Sequence, residues 1–169
     1  KLKIDCLVNN AGISPKGPNN ERLNSVEPDL KTWGHVFHVN FFSSVVLVNG
    51  LKDELKEAKG SIVNVTSIAG SRVHPFAGAP YATSKAALAA LTREMAYDLG
   101  PLGIRVNAIA PGEVETSILS PGTDKIVDAL PLQRLGQPSE VASVIFFLCS
   151  GQSSYISGTE IQVNGAQHV

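Results

Sequence analysis

Several residue types are scarce in this 169-residue sequence, and each scarcity excludes a class of protein. Two cysteines, Cys6 and Cys149, are too few for a disulfide-stapled scaffold, and they lack the spacing of metal ligands. The formal net charge of -1 argues against a nucleic-acid-binding protein. There is no signal peptide and no run of about 18 apolar residues that could span a membrane. We therefore expect a cytoplasmic protein with two free, buried thiols and no disulfide.

What the sequence does contain is an alternation of short apolar segments with longer helical ones. Hydrophobic residues make up 43% and charged residues 17%, and nothing resembles a linker, so residues 1–169 are predicted to form a single domain. Strands are predicted at 4–8, 61–67, 104–111 and 158–165. Helices are predicted at about 30–58, from about 81 to 99, and from 138 onwards. This order is typical of a doubly wound α/β fold, in which helices cover both faces of a parallel sheet.

Polar segments that contain glycine follow three of the predicted strands. They are NNAG (9–12), TSIAG (66–70) and PGEVET (111–116). Because ligands of open α/β sheets bind outside the carboxyl ends of the strands, these segments are expected to meet at one rim and form a site. The ordinary use of Asn, Gly and Pro at strand ends would also explain the glycines. It does not explain why a serine, a tyrosine and a lysine occur with them.

Four polar residues suggest proton-transfer chemistry at that rim. Tyr81 and Lys85 are four residues apart, and therefore lie on one face of the predicted helix. A nearby ammonium stabilises a phenolate and would lower the pKa of Tyr81, which would make it a general acid-base. Ser67 could donate a hydrogen bond to a substrate carbonyl. Asn40 is either a satisfied buried amide or the holder of a water that relays protons to Lys85. The Tyr-x-x-x-Lys spacing alone is weak, since it recurs by chance.

Taken together, these motifs resemble the short-chain dehydrogenase/reductase family, including its 3-oxoacyl-carrier-protein reductase-like members. The matching features are NNAG, Asn40, Ser67 in NVTSIAG, YATSK at 81–85, RVNAIAPG at 105–112 and the terminal ISGTEIQVNGA. They occur in the family's order and cover essentially the whole chain. The resemblance implies an oxidoreductase that transfers a hydride between NAD or NADP and a carbonyl or alcohol substrate, on a Rossmann-like fold.

The resemblance also implies roles for single residues. Tyr81 is the acid-base, Ser67 orients the carbonyl, and Lys85 tunes Tyr81 and binds the nicotinamide ribose. Asn40 matches the family's relay asparagine. The implied cofactor-binding residues are Asn10, Ala11, Gly12, Tyr81, Lys85, Pro111, Gly112, Val114 and Thr116. By the same analogy, the helices at 30–58 and 81–99 contact a second subunit in a homodimer or homotetramer.

Other segments are expected to contact the substrate. Residues 113–137, with an internal SPGT turn, are predicted to form a lid, with an ordinary solvated loop as the alternative. Arg72, His74 and Phe76 lie between Ser67 and Tyr81 in the sequence and are expected to decide which substrate binds. His35 and His38 share a helix face but have no third ligand nearby, so no metal site is predicted.

The sequence departs from the family's pattern at both ends. It has no counterpart of the family's first strands, of their glycine-rich pyrophosphate turn, or of the residue that selects NAD or NADP. We expect it to be the carboxyl-terminal two thirds of a reductase. The alternative is an inactive module for interaction or oligomerisation, although retention of all four candidate catalytic residues argues against it. The terminal NGA, where the family more often has NGG, is expected to matter little.

Overall fold

Parallel strands alternate with helices in the computed structural model, which describes residues 2–119 and 122–169. The strands are β1 (Cys6–Asn9), β2 (Ser61–Val65), β3 (Arg105–Pro111) and β4 (Glu160–Val163). The α-helices are α1 (Leu30–Phe37), α2 (Ser43–Ala58), α3 (Ala79–Leu99) and α4 (Pro138–Cys149). The strands pair in the order β1-β2-β3-β4, all parallel. The predicted parallel α/β fold is confirmed.

The sheet separates two apolar layers, because neighbouring residues of a strand point to opposite faces. In β2, Ile62 faces one layer and Val63 the other. The first layer consists of Val48, Leu55, Ile62, Met95, Leu99, Ile104 and Val106. The second consists of Val63, Val65, Ile109 and Leu148. Helices α2 and α3 therefore cover one face of the sheet, and α4 covers the other.

The helix predicted at 30–58 has the predicted bounds but is not a uniform α-helix. The side chain of Asp29 accepts a hydrogen bond from the backbone N–H of Thr32 at 2.8 Å and caps α1. A π-helical turn, His38–Phe42, then joins α1 to α2. Lys59 ends α2 in the left-handed conformation, with φ at 50°. The next residue, Gly60, is needed for close packing, since a Cβ there would stand 2.6 Å from the carbonyl oxygen of Ile4.

The expectation of free thiols is wrong, because Cys6 and Cys149 form a disulfide. Cys6 begins β1 and Cys149 ends α4, and both belong to the apolar layer beneath α4. That packing brings their Cα atoms to 5.7 Å, which is within the usual range for a disulfide. The two residues are 143 positions apart, so their spacing in the sequence carries no sign of the pairing.

The last residue of the terminal NGA, Ala166, has an unusual backbone conformation. Ala166 has φ at 66°, in the left-handed region where a side chain is sterically unfavourable and glycine is not. The alanine therefore stands at a position where the family's glycine would be unstrained.

Two further observations concern the outside of the molecule. β1 is an edge strand, and its Val8 is 40% exposed. Within residues 2–119 and 122–169, none of the helices combines the length and the hydropathy that crossing a bilayer requires.

Candidate active site

The three polar segments meet at one rim, as predicted. The carboxyl ends of β1, β2 and β3 open onto a cavity of about 400 Å³. Its walls include residues of each segment, namely Asn10, Gly12, Ser67, Pro111, Gly112 and Thr116. Tyr81 and Lys85 of α3 complete the same walls. The volume is that of a small-molecule site, for which roughly 300–1,000 Å³ is typical.

Ser67 is held close to α3 by the short turn that follows β2. Its Oγ accepts a 3.2 Å hydrogen bond from the backbone N–H of Ala69, which fixes the side chain at the start of the turn. A Cβ on Gly70 would stand 2.9 Å from the backbone nitrogen of Ala86, so only glycine lets this turn approach α3 so closely. As a result, Ser67 and Tyr81 line the same wall of the cavity, and Ser67 is near enough to influence the pKa of Tyr81.

The pKa of Tyr81 lies above its ordinary value, opposite to the direction expected from the sequence. Burial of the phenol is the largest cause, because it disfavours the phenolate. The hydrogen bond with Ser67 lowers the pKa, and the negative charge of Glu113 raises it. Tyr81 is therefore protonated at neutral pH in this structure.

Lys85 does not lower the pKa of Tyr81 because its ammonium is engaged elsewhere. Nζ donates a 2.7 Å hydrogen bond to the carbonyl oxygen of Val65 and lies 5.8 Å from the centroid of the Tyr81 ring. The side chain is only 3% exposed, and burial lowers the pKa of Lys85 to about 8. Lys85 is thus close to Tyr81, as expected from the helical spacing, but its ammonium group points towards the end of β2.

Asn40 lies in the π-helical turn and is 1% exposed. Its Oδ1 accepts a 2.8 Å hydrogen bond from the N–H of Ile13, and its Nδ2 donates to the carbonyl oxygen of Ile13 at 3.0 Å. Nδ2 also donates to Ser84 Oγ at 3.0 Å. The side chain therefore fixes the backbone that follows β1, and it does not line the cavity. The geometry is that of a satisfied buried amide, which was one of the two readings left open.

Most of the expected cofactor-binding residues border the cavity. Eight do so, namely Asn10, Gly12, Tyr81, Lys85, Pro111, Gly112, Val114 and Thr116, whereas Ala11 does not. Gly112 is required by its neighbours, because a Cβ there would stand 3.0 Å from the Cα atom of Asn164. A Cβ on Gly12 would meet the flexible end of the Lys85 side chain, 3.3 Å from Nζ.

Known proteins match the chain over almost its whole length. Residues 2–168 match the family model described as enoyl-(acyl carrier protein) reductase. A solved oxidoreductase of the short-chain dehydrogenase/reductase family from Brucella ovis, in complex with a partially ordered NAD, is 57% identical, with a TM-score of 0.82. The chain belongs to the short-chain dehydrogenase/reductase family. The match covers 96% of this chain and 66% of the Brucella ovis chain.

Two other members of the family extend the comparison. Protein FixR of Bradyrhizobium diazoefficiens is 59% identical over 167 residues, which are 98% of this chain and 60% of FixR. The structure of a 3-oxoacyl-[acyl-carrier protein] reductase with bound NAD from Brucella melitensis is 38% identical in sequence, with a TM-score of 0.92. The match covers 99% of this chain and 63% of the Brucella melitensis chain. This short-chain dehydrogenase/reductase chain spans about 60% of the length of the curated relatives it matches.

The first residues of the lid predicted at 113–137 border the cavity. Val114, Thr116, Ile118 and Leu119 all line the cavity. The backbone N–H of Glu115 donates to the carbonyl oxygen of Gly136 at 2.9 Å, which ties the two ends of the segment together. Ser120 and Pro121 of the SPGT turn lie outside the described residues.

The residues expected to choose the substrate divide into two groups. His74 and Phe76 line the cavity, whereas Arg72 does not and instead donates to the carbonyl oxygen of Gln167.

Sequence reasoning missed Lys16 and Glu113, which also line the cavity. Glu113 directly follows the Pro-Gly pair at the end of β3, so its position at the rim was a usable signal. Lys16 lies in a loop and gave no such signal.

Proposed function

We propose that the protein is an oxidoreductase that transfers a hydride between NAD or NADP and a carbonyl or secondary alcohol substrate, with Tyr81 as the general acid-base. The observation that carries this proposal is that the side chains of Ser67 and Tyr81 meet at one wall of the same cavity. Two hydroxyls on one wall can both reach the oxygen of a carbonyl, one to orient it and one to exchange a proton with it.

The residues around the cavity fit a nicotinamide cofactor. The solved relatives from Brucella ovis and Brucella melitensis contain NAD, which makes NAD the first cofactor to test. The backbone near Gly12 has no side chain in the way, and the segment 111–116 offers backbone groups and the Thr116 hydroxyl to a carboxamide. Lys85, which borders the same cavity, is proposed to contact the ribose. When bound, the nicotinamide supplies or accepts the hydride.

The proton is handled by the chain's own residues. Ser67 holds the substrate oxygen, and the protonated phenol of Tyr81 donates to it when a carbonyl is reduced. Burial, which raises the pKa of Tyr81, keeps the phenol in that form at neutral pH. Alcohol oxidation needs the phenolate, and therefore proceeds better at higher pH. Lys85 and Asn40 position this machinery, since Lys85 is anchored to Val65 and Asn40 to Ile13.

The proposal also includes a homo-oligomer formed through the helix at 30–58, which comprises α1, the π-helical turn and α2, and through α3. Their outer surfaces carry large apolar side chains that a monomer would leave in water. Phe42 is 49% exposed, Val46 66% and Tyr97 83%. Apolar surface of this kind is often covered by a partner, and a second copy of the chain is the partner proposed here.

Replacement of Tyr81 by phenylalanine tests the proposed activity. In the protein at its natural length, Tyr81→Phe should reduce kcat for ketone reduction with NADH by about 10²–10⁴-fold, while NADH binding measured by fluorescence stays within about threefold. The matched control is Tyr97→Phe, which removes a hydroxyl from an exposed position on the same helix. Full activity of Tyr81→Phe, or failure of the unmodified protein to bind NADH and NADPH, would show that the proposed function is wrong.

A further inference from the structure

One cationic side chain at the cavity has no role in the proton transfer proposed above. Lys16 comes from the loop after β1 and lines the cavity together with Ser67 and Tyr81. Among the side chains that the structure describes, no carboxylate forms an ion pair with Lys16. A ligand in the cavity therefore meets an ammonium group whose charge is not neutralised by direct contact.

Lys16 is anchored to the opposite side of the cavity mouth by a hydrogen bond. Its Nζ donates to the carbonyl oxygen of Phe76, which lines the same cavity from the segment between β2 and α3. An ammonium group carries three donors, and the described residues use one of them, so two N–H groups are left for a ligand. The side chain is half-buried, and burial is the main cause that lowers the pKa of Lys16. The ammonium has therefore already lost part of its hydration, which strengthens its attraction to an anion.

The neighbouring charges leave this part of the cavity positive. Glu113 is close enough to raise the pKa of Lys16, against the larger lowering by burial. Its buried Oε1 faces His74, however, and lies 2.7 Å from Nε2 of that ring. A second cation, Arg22, is close enough to lower the pKa of Lys16, and its Nε is anchored to the carbonyl oxygens of His74 and Ala77. Two cations and one carboxylate that is turned away favour an anionic ligand over a cationic one.

The loop after β1 also offers a hydroxyl to the same ligand. Ser14 precedes Lys16 by two residues and lines the cavity as well. A carboxylate has two oxygen atoms, so one can accept from an ammonium and the other from a hydroxyl. A phosphate monoester carries up to two negative charges at neutral pH and suits this site less well, because the charge of Glu113 is nearby.

We propose that Lys16 binds a carboxylate of the substrate, so that the protein acts preferentially on oxo acids and hydroxy acids. This inference rests on the proposed function, since it places the reacting carbon of the same molecule at Ser67 and Tyr81. The carboxylate accepts a charge-assisted hydrogen bond from Nζ of Lys16. A neutral analogue leaves the ammonium without this partner and is bound less well.

The test compares oxo acids with their methyl esters, which keep the ketone and remove the charge. The ketones are 3-oxobutanoate, 4-oxopentanoate and 5-oxohexanoate, in which the carboxylate lies progressively further from the reacting carbon. The protein at its natural length reduces each acid and each ester with NADH or NADPH. For at least one chain length, kcat/KM for the acid should exceed that for the ester by about 30-fold, the size expected of a charge-assisted hydrogen bond.

Substitutions of Lys16 show whether its charge causes the preference. In Lys16→Met, the ratio of acid to ester should fall below about threefold, while kcat/KM for the ester stays within about threefold of the unmodified value. Lys16→Arg keeps the charge and should retain a preference of about tenfold. Lys31→Met is the matched control, because Lys31 is an exposed lysine at the start of α1, outside the cavity. It should keep the full preference.

Equal kcat/KM for acid and ester at all three chain lengths, or an unchanged preference in Lys16→Met, would overturn the inference while leaving the proposed function intact. Failure to reduce any of these ketones with either coenzyme would count against the proposed function instead. Calorimetry with 4-oxopentanoate then decides the inference, which requires at least about tenfold weaker binding by Lys16→Met and is overturned by equal binding or by none.

Discussion

Lys85 donates its buried hydrogen bond to the carbonyl oxygen of Val65, at 2.7 Å. The bond ties the first half of α3 to the end of β2, and the ammonium-bearing side chain is only 3% exposed. Burial lowers the pKa of Lys85 to about 8, far below the ordinary 10.5. The position is therefore suited to a function that needs a cation at the wall of the cavity, and it is unfavourable for stability.

The first prediction is that Lys85→Met stabilises the fold at pH 7. The unfolded chain binds the Lys85 proton more tightly than the folded one, so the free energy of unfolding of the unmodified protein rises between pH 8 and pH 10.5. The full shift corresponds to about 3 kcal/mol. Loss of the hydrogen bond to Val65 offsets about 1 kcal/mol, which leaves a gain of about 2 kcal/mol at pH 7.

Urea unfolding at pH 7, 8, 9 and 10 measures this effect. The control is Lys52→Met, at an exposed position of α2, which should leave both the stability and its pH dependence unchanged. If Lys85→Met unfolded with the same pH dependence as the unmodified protein, burial of the ammonium would not be the cause.

The second prediction concerns Asn40. Asn40→Ala should lower the free energy of unfolding by about 2–4 kcal/mol, because the N–H and C=O of Ile13 both lose their partner, as does Ser84. Urea unfolding measures the change. Asn49→Ala removes an amide from an exposed position of the adjoining α2 and should cost less than about 0.5 kcal/mol. Equal costs at the two positions would contradict the anchoring role of Asn40.

The third prediction is that Ala166→Gly stabilises the protein by about 0.5–1 kcal/mol, because glycine adopts the left-handed backbone of this position without strain. Thermal and urea unfolding measure the gain. The same substitution at Ala90, exposed within α3, should instead destabilise by about 0.5–1 kcal/mol. A loss of stability at both positions would mean that the backbone near Ala166 is not strained.

The fourth prediction tests the proposed oligomer. Val46→Lys places a charge among the exposed apolar side chains of α2 and should reduce the particle mass measured by light scattering to that of the monomer. Val26→Lys makes the same change at a valine that is 85% exposed but lies outside the helices, and it should leave the mass unchanged. An unaltered oligomer in Val46→Lys would place the subunit contact elsewhere.

The sequence predicted the fold well because strand and helix signals are local. The apolar runs around Val63 and Ile109, and the polar segments after them, were sufficient to predict a parallel sheet and the edge of that sheet where the candidate site lies.

The disulfide between Cys6 and Cys149 was not predictable in this way, since it depends on how α4 crosses the sheet. The direction of the Tyr81 pKa shift was missed for a similar reason. Helical spacing brings Lys85 near Tyr81, but burial and the carbonyl oxygen of Val65 decide where the ammonium points.

The helix at 30–58 shows a subtler limit. In a regular helical projection, its apolar residues cover most of the circumference, a pattern typical of a helix surrounded by other layers. In the structure, the fully buried residues Val36 and Leu55 face the protein interior, whereas Val46 and Leu47 are exposed. The π-helical turn shifts the angular positions of the residues of α2 relative to those of α1. A regular period of 3.6 residues applied across the turn therefore assigns buried and exposed residues to the wrong sides of the helix.

The same turn accommodates one residue more than a regular α-helix of this length would hold. Val36 and Leu55 are 19 positions apart, and in an uninterrupted α-helix they would be separated by about 100° around the axis. The π turn takes up one residue more than an α turn and returns Leu55 to the side of Val36. Deleting a single residue between His38 and Phe42 would make the helix regular. It would leave 18 positions between Val36 and Leu55, which is five full turns, so both residues would still face the protein interior. With the extra residue present, the irregular hydrogen bonding of the π turn is what keeps the two halves of the helix in register.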